Sequence, residues 1–146
     1  MPNKKMSVLL ADPLPSFRNL YGQALRQAGF EVFVACDEIQ IFDILSNHSI
    51  DLILIDPIMG DPELKHASKT LLSRLQSENP RLIIFVFSWI EEGLFDNPHA
   101  QTATLRFLPK GDVDPGKLAA FLRAHFREGV ALGARRYMNR QMENEL

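Results

Sequence analysis

The sequence has little of several features that mark whole classes of protein. Its 146 residues include a single cysteine, Cys36, which excludes an internal disulfide and a multi-cysteine metal site. No apolar run approaches the roughly 18 residues that a membrane-spanning helix needs. Sixteen Lys and Arg against 18 Asp and Glu leave a net charge of only -2, so nothing favours nucleic acid or an anionic membrane as a partner. We therefore expect a cytoplasmic protein.

What is present is the composition of one globular domain. Hydrophobic residues make up 46% of the chain and charged residues 23%, which is typical of a folded protein and not of a disordered one. The length is that of a single domain. We expect this domain to span residues 1–128. Residues 129–146 are polar and too short for a folded output domain, and we expect a tail or a helix extension there.

Short apolar runs alternate with segments of helical period along most of the chain. The runs predict five strands, at residues 6–11, 31–35, 52–55, 82–87 and 104–108. Apolar residues at helical spacing predict five helices, at residues 16–28, 38–45, 67–75, 91–101 and from 115 onward. Leu20 and Phe121 are expected on the apolar faces of the first and last helices. We expect Asp37 to cap the second helix, with Gln40 at its N3 position, and the nearby Cys36 to be at least half-buried.

This alternation of strand and helix predicts an α/β fold. Strands that alternate with helices form a parallel sheet with helices on both faces. Residues 52–55 are apolar on both sides, as a central strand of such a sheet requires. Right-handed crossovers allow only a few strand orders, and for five strands the commonest is the flavodoxin-like, doubly wound order 2-1-3-4-5.

Four polar residues stand at the strand ends where such a sheet binds ligands. Asp12 and Asp56 end the first and third strands, Ser88 ends the fourth, and Lys110 follows the fifth. Taken alone, an aspartate in such a place is usually a turn or cap residue, and a lysine is usually solvated. We expect the four together to converge on one small area, because the carboxyl ends of parallel strands share one edge of the sheet.

In these residues the chain resembles the receiver domain of two-component response regulators, most of all the chemotaxis-regulator type. The resemblance covers residues 5–128 and keeps the order of the family's elements. Four segments carry it: Leu9-Leu10-Ala11-Asp12, the phosphoacceptor strand and loop from Asp51 to Gly60, Phe87-Ser88, and Phe107-Leu108-Pro109-Lys110-Gly111.

The resemblance implies a function for the polar residues. Asp56 would accept a phosphoryl group from a phosphohistidine on a sensor histidine kinase or a phosphotransfer protein. Asp12, Asp56 and the carbonyl of Ile58 would bind Mg²⁺, which prefers oxygen ligands. Lys110 would contact a phosphoryl oxygen, since this chemistry depends on neutralising charge. The protein would then be a signalling domain and not an enzyme that turns over substrates.

The resemblance also implies a switch. Ser88 would move to the phosphoryl group, and Phe107 would swing inward behind it. The face formed by the predicted helix at 91–101, the fifth strand and the last helix would change with them. That face would bind a target protein or, in a homodimer, a second copy of the chain.

Two residues depart from the family's pattern. Pro13 stands where a second acidic residue is usual, so we expect weaker Mg²⁺ binding unless Asp61 or Glu63 reaches the site from the following loop. Trp89 stands where the family usually has a small residue. Its indole would cover Asp56, or it would pack on the loop or face a partner.

Two alternatives remain open. In the first, the chain is a degenerate receiver that acts as a phosphorylation-independent interaction or dimerisation module. In the second, it is a small flavodoxin-like ligand-binding or enzyme domain. Residues 12–15, Asp-Pro-Leu-Pro, argue against the last, since they would cradle the phosphate of a nucleotide or flavin poorly.

Overall fold

A computed structural model describes residues 5–61, 63, 67–89 and 105–127 of the chain. These residues form five strands, four α-helices and two short 3-10 turns. The strands are β1 (Ser7–Ala11), β2 (Glu31–Ala35), β3 (Leu52–Ile55), β4 (Ile83–Ser88) and β5 (Leu105–Pro109). The helices are α1 (Pro15–Gln27), α2 (Glu38–Asn47), α3 (Lys69–Glu78) and α4 (Pro115–Arg127). The 3-10 turns are Pro57–Gly60 after β3 and Lys110–Asp112 after β5.

The strands form one parallel sheet in the order β2-β1-β3-β4-β5. The predicted fold class and strand order are therefore confirmed. β1 and β3 lie side by side with Leu9 opposite Ile53, and β3 lies beside β4 with Ile55 opposite Val86. The chain reverses direction across the sheet between β1 and β3, so the ends of these two strands form the point where ligands bind in such folds.

Apolar side chains cover both faces of the sheet. On one face, residues such as Leu9 and Ile53 pack with Ile41 of α2 and Leu75 of α3. On the other face, Leu10 and Leu54 pack with side chains of α1 and α4, including Leu25 and Leu118. This double burial explains why β1 and β3 read as continuous apolar runs and not as alternating ones.

Local signals fix the ends of the helices. The Asp37 carboxylate accepts a hydrogen bond from the Gln40 N–H at 2.8 Å, and the Gln40 side chain accepts one from the Cys36 N–H at 2.8 Å, so the predicted cap of α2 is confirmed. α1 begins at Pro15, one residue before the predicted start, because proline is favoured in the first turn of a helix. Gly29 follows α1 with a φ of +99°, a conformation that glycine adopts without strain.

Some sequence-based details were wrong. Leu20 of α1 and Phe121 of α4 are exposed by 56% and 45%, because the buried stripe of each helix is narrower than its apolar pattern. Cys36 is exposed, since it follows β2, an edge strand. β1 begins one residue later than predicted, and β4 is shifted one residue toward the C-terminus.

Two predicted segments lie outside the described residues: the helix at 91–101 and the polar stretch at 129–146. Among the residues that the structure does describe, no helix has the length and apolar character needed to cross a membrane.

Candidate functional site

Backbone hydrogen bonds hold the two candidate carboxylates in place at the central edge of the sheet. The Asp12 N–H donates to the Ala35 carbonyl at 3.2 Å, and the Asp56 N–H donates to the Ala11 carbonyl at 3.0 Å. These bonds continue the strand ladders one residue beyond β1 and β3. Both side chains therefore start from hydrogen-bonded strand ends at the centre of the sheet, and sites built on strands are more precise than sites built on loops.

One oxygen of each carboxylate is used by a tight turn. Oδ1 of Asp12 accepts a hydrogen bond from the Leu14 N–H at 2.9 Å, and Oδ1 of Asp56 accepts one from the Ile58 N–H at 3.1 Å. Such bonds between an aspartate and the backbone two residues on are typical turn chemistry. They fix the orientation of each carboxylate and leave its other oxygen, Oδ2, to face the space between the two.

The ammonium of Lys110 lies in that space. Its Nζ is 2.6 Å from Oδ2 of Asp12 and 2.7 Å from Oδ2 of Asp56. The three side chains are exposed by only 1%, 2% and 6% for Lys110, Asp12 and Asp56. Three of the four residues that the sequence placed at this edge thus form a buried ion cluster.

An aromatic ring that the sequence analysis did not assign to the site completes this cluster. Lys110 Nζ lies 4.5 Å from the centre of the Phe17 ring and 5.8 Å from that of Phe87, within the range of a cation–π interaction. Phe17 in turn stacks on Tyr21, with 5.3 Å between ring centres, and meets Trp89 edge-on at 6.1 Å. Only one signal could have pointed to Phe17: it lies in the first turn of the helix that follows Asp12.

The remaining predicted site residues lie in β4 and β5 or directly after β4. Ser88 is buried at the end of β4, and in the strand register it is paired with Pro109, which directly precedes Lys110. Phe107 is half-buried in β5 and packs against the core beneath α2 and α3. Trp89 is exposed by 61%, and its indole lies beside Phe17 and so close to Gly111 that a Cβ there would be 3.2 Å from it.

Among the residues that the structure describes, the ion cluster contains two acidic side chains, Asp12 and Asp56. Pro13, the residue in the place of a second acid, is half-buried next to Asp12. In the loop after β3, the Asp61 carboxylate accepts a hydrogen bond from the Glu63 N–H at 2.9 Å, and Glu63 is exposed. Within the described part of the chain, no group of three or more Asp, Glu, His or Cys side chains is arranged to hold a metal ion.

Burial shifts the pKa of Asp12. Removal from water raises the pKa of Asp12 above its ordinary value of 3.8, although the hydrogen bonds from Lys110 and Leu14 oppose this shift. The folded protein therefore binds this proton more tightly than the unfolded chain does. As the pH rises from below 3.8 through the raised pKa, the contribution of Asp12 to the free energy of unfolding must fall.

This shift predicts a pH-dependent effect of Asp12→Asn. Above the raised pKa the variant should be more stable than the wild type, because it lacks the cost of an ionised buried carboxylate, while Lys110 keeps Asp56 as its partner. Below pH 3.8 the gain should disappear, since Asp12 is then protonated in both states. Thermal unfolding of the two proteins across this range measures the difference. A gain in stability that is the same at every pH would contradict the raised pKa of Asp12.

The sequence matches no protein-family model and no curated protein, but solved structures share its fold. The response regulator CheY4 of Vibrio cholerae is 21% identical, with a TM-score of 0.63 over 83% of this chain and 98% of that one. The non-phosphorylated receiver domain of RcsB from Escherichia coli is 19% identical, with a TM-score of 0.67 over 86% and 95%.

A third structure is that of a protein described as an atypical orphan response regulator with a phosphorylation-independent regulatory mechanism. It is 15% identical, with a TM-score of 0.60 over 84% of this chain and 96% of that one. At these identities the likeness concerns the fold, and it extends over nearly the whole length of all three domains. The resemblance predicted from the four sequence motifs is confirmed at this level: the chain has the fold of the response-regulator receiver domains.

Proposed function

We propose that this chain is a response-regulator receiver protein of a two-component phosphorelay, with Asp56 as the phosphoryl acceptor. The observation that carries the proposal is the buried cluster in which Lys110 Nζ joins Asp12 and Asp56 at 2.6 and 2.7 Å. The receiver fold alone would not carry it, since one fold hosts many functions. The proposal places the protein in the cytoplasm and makes it a signalling domain and not a turnover enzyme.

In the proposed reaction, a carboxylate oxygen of Asp56 attacks the phosphorus of a phosphohistidine on a sensor kinase or a phosphotransfer protein. The new O–P bond forms as the P–N bond breaks, and the electron pair of that bond stays on the imidazole nitrogen, which then takes up a proton. The ammonium of Lys110 neutralises charge on the phosphoryl oxygens, which is the main catalytic requirement of this chemistry. The product is an aspartyl phosphate at the end of β3.

The proposed output is a change at the neighbouring strands. Ser88, at the end of β4, would donate a hydrogen bond to the new phosphoryl group, and Phe107 of β5 would follow it inward. Such a switch requires the phosphoryl group to favour one arrangement over the other by a few kcal/mol. The altered face would bind a target protein or a second copy of this chain. The homodimer stays a prediction, because residues 91–101 of that face lie outside the described residues.

The proposal is tested by incubating the protein with phosphoramidate, which donates a phosphoryl group from a P–N bond, and then measuring the intact mass. Mg²⁺ is present in one arm of the experiment and omitted from the other, so that both Mg²⁺-dependent and Mg²⁺-independent phosphorylation are detected. The wild type should gain the mass of one phosphoryl group. Asp56→Asn should gain none, because an amide oxygen is a far weaker nucleophile than a carboxylate. Asp51→Asn, at the opposite end of β3, serves as the matched control and should react like the wild type.

Pro13 favours a second candidate, a receiver that works without phosphorylation. The missing acid removes a group that the resemblance assigns to catalysis, and one solved structure of the same fold is described as using a phosphorylation-independent mechanism. For this candidate, the wild type should gain no mass from phosphoramidate in either arm. Its oligomeric state and partner binding should also be the same in Asp56→Asn as in the wild type.

A further inference from the structure

We propose that the ammonium of Lys110 is the resident cation of this site, and that the site has no open place for Mg²⁺ because Pro13 supplies no third carboxylate. The described residues of the site do not fit the metal that the resemblance implies. The proposal concerns binding alone, so it does not depend on whether Asp56 accepts a phosphoryl group.

Every oxygen that the resemblance assigns to a metal already accepts a hydrogen bond. On Asp12 and Asp56, Oδ1 is bound by a backbone N–H and Oδ2 by Lys110. The third predicted ligand, the carbonyl of Ile58, accepts the N–H of Asp61 at 3.0 Å. Mg²⁺ requires about six oxygens in near-octahedral geometry and gives up its own water reluctantly. It would have to compete with Lys110 for Oδ2 of both carboxylates and with a backbone N–H for each Oδ1.

The charge of the cluster also opposes the binding of Mg²⁺. The two carboxylates and one ammonium carry a formal charge of -1, whereas an additional acid at position 13 would make it -2. A divalent ion beside the ammonium would turn the present cluster positive in a buried setting. Uncompensated buried charge is costly, so the binding of Mg²⁺ next to Lys110 is opposed in this chain.

Phe17 adds an aromatic ring face to the surroundings of the ammonium. Its ring centre lies 4.5 Å from Nζ, and the ring is itself supported by Tyr21 and Trp89. A lysine ammonium has three N–H donors, and two of them are taken by carboxylate oxygens. With a ring face as the third neighbour, the ammonium is well satisfied where it stands. No buried side-chain nitrogen or oxygen of the described residues lacks a hydrogen-bond partner.

The test is a titration with MgCl₂ in the absence of a phosphoryl donor. Binding is measured by the fluorescence of Trp89 and by calorimetry. Trp89 is the only tryptophan of the chain and packs on Phe17 beside the cluster. Pro13→Asp restores the missing acid, and Ser16→Asp adds the same charge at an exposed position three residues away. NaCl at matched ionic strength corrects for screening.

The wild type and Ser16→Asp should show no saturable signal in the millimolar range of Mg²⁺. Pro13→Asp should bind at least about tenfold more tightly, which corresponds to about 1.4 kcal/mol. Saturable binding of Mg²⁺ to the wild type in the millimolar range would overturn the proposal, and this part of the test needs no variant that might misfold. The proposal would also be overturned if folded Pro13→Asp gave no binding signal in either fluorescence or calorimetry, since Pro13 would then not be what excludes the ion.

Discussion

Replacing Lys110 with methionine is expected to destabilise the protein by about 3–5 kcal/mol at neutral pH, the usual cost of removing one partner from a buried ion pair. Methionine fills a similar volume, so the loss would not come from a cavity. It would come from two carboxylates, exposed by 2% and 6%, that face each other without the ammonium between them. Urea unfolding at pH 7.5 measures this difference in the free energy of unfolding.

The loss should depend on pH and on the two acids. At pH 4 it should shrink, because protonation of one carboxyl relieves the repulsion. The triple variant Lys110→Met, Asp12→Asn, Asp56→Asn should recover part of the stability, since it leaves no buried charge without a partner. If Lys110→Met costs less than about 1 kcal/mol at both pH values, the lysine behaves like an exposed ion-pair partner and the buried cluster is refuted.

The second large effect is expected at Gly60, in the 3-10 turn that follows Asp56. A Cβ at this position would lie 2.4 Å from Cβ and 2.6 Å from Oγ of Ser68, the residue that caps α3. Ser68 cannot simply move away, because its N–H donates to the Pro57 carbonyl at 2.9 Å and its hydroxyl accepts the Leu71 N–H at 3.1 Å. Gly60→Ala should therefore cost about 1–3 kcal/mol, as overpacking usually does.

Gly116 provides the matched control for Gly60. It lies in the first turn of α4, where an added Cβ would meet only Asp114 Oδ1, at an ordinary distance of 3.5 Å. Gly116→Ala should leave stability unchanged or raise it by up to about 1 kcal/mol, because alanine loses less conformational entropy than glycine on entering a helix. Thermal unfolding of the two variants gives the comparison. Equal effects of the two substitutions would show that the turn after Asp56 is not tightly packed against α3.

The sheet could be predicted from the sequence because its signals are local. Residues 52–55 form a run apolar on both faces, as a covered central strand requires, and Asp37 with Gln40 marks the start of α2 within four residues. The meeting of Asp12, Asp56 and Lys110 was also predictable, since the carboxyl ends of parallel strands share one edge. None of these inferences required knowing where a side chain points.

The rest depends on geometry that the sequence pattern does not contain. Helical period assigns Phe17 to the apolar face of α1 but does not say that its ring lies 4.5 Å from an ammonium. Leu20 follows the same pattern and is exposed, because the pattern does not give the width of the surface that the sheet covers. Lys110 contacts both Asp12 and Asp56. To predict both contacts, one would need the distances between the ends of three strands.

The central claim, that Asp56 is a phosphoryl acceptor, is tested most directly by locating the modification. Borohydride reduces an aspartyl phosphate to homoserine, so peptide mass mapping after treatment with phosphoramidate identifies the modified residue. The account predicts homoserine at position 56 in the wild type and at no position in Asp56→Asn. Homoserine at Asp12 or Asp51 in the wild type, or none anywhere while a phosphorylatable receiver treated in parallel is modified, would contradict it.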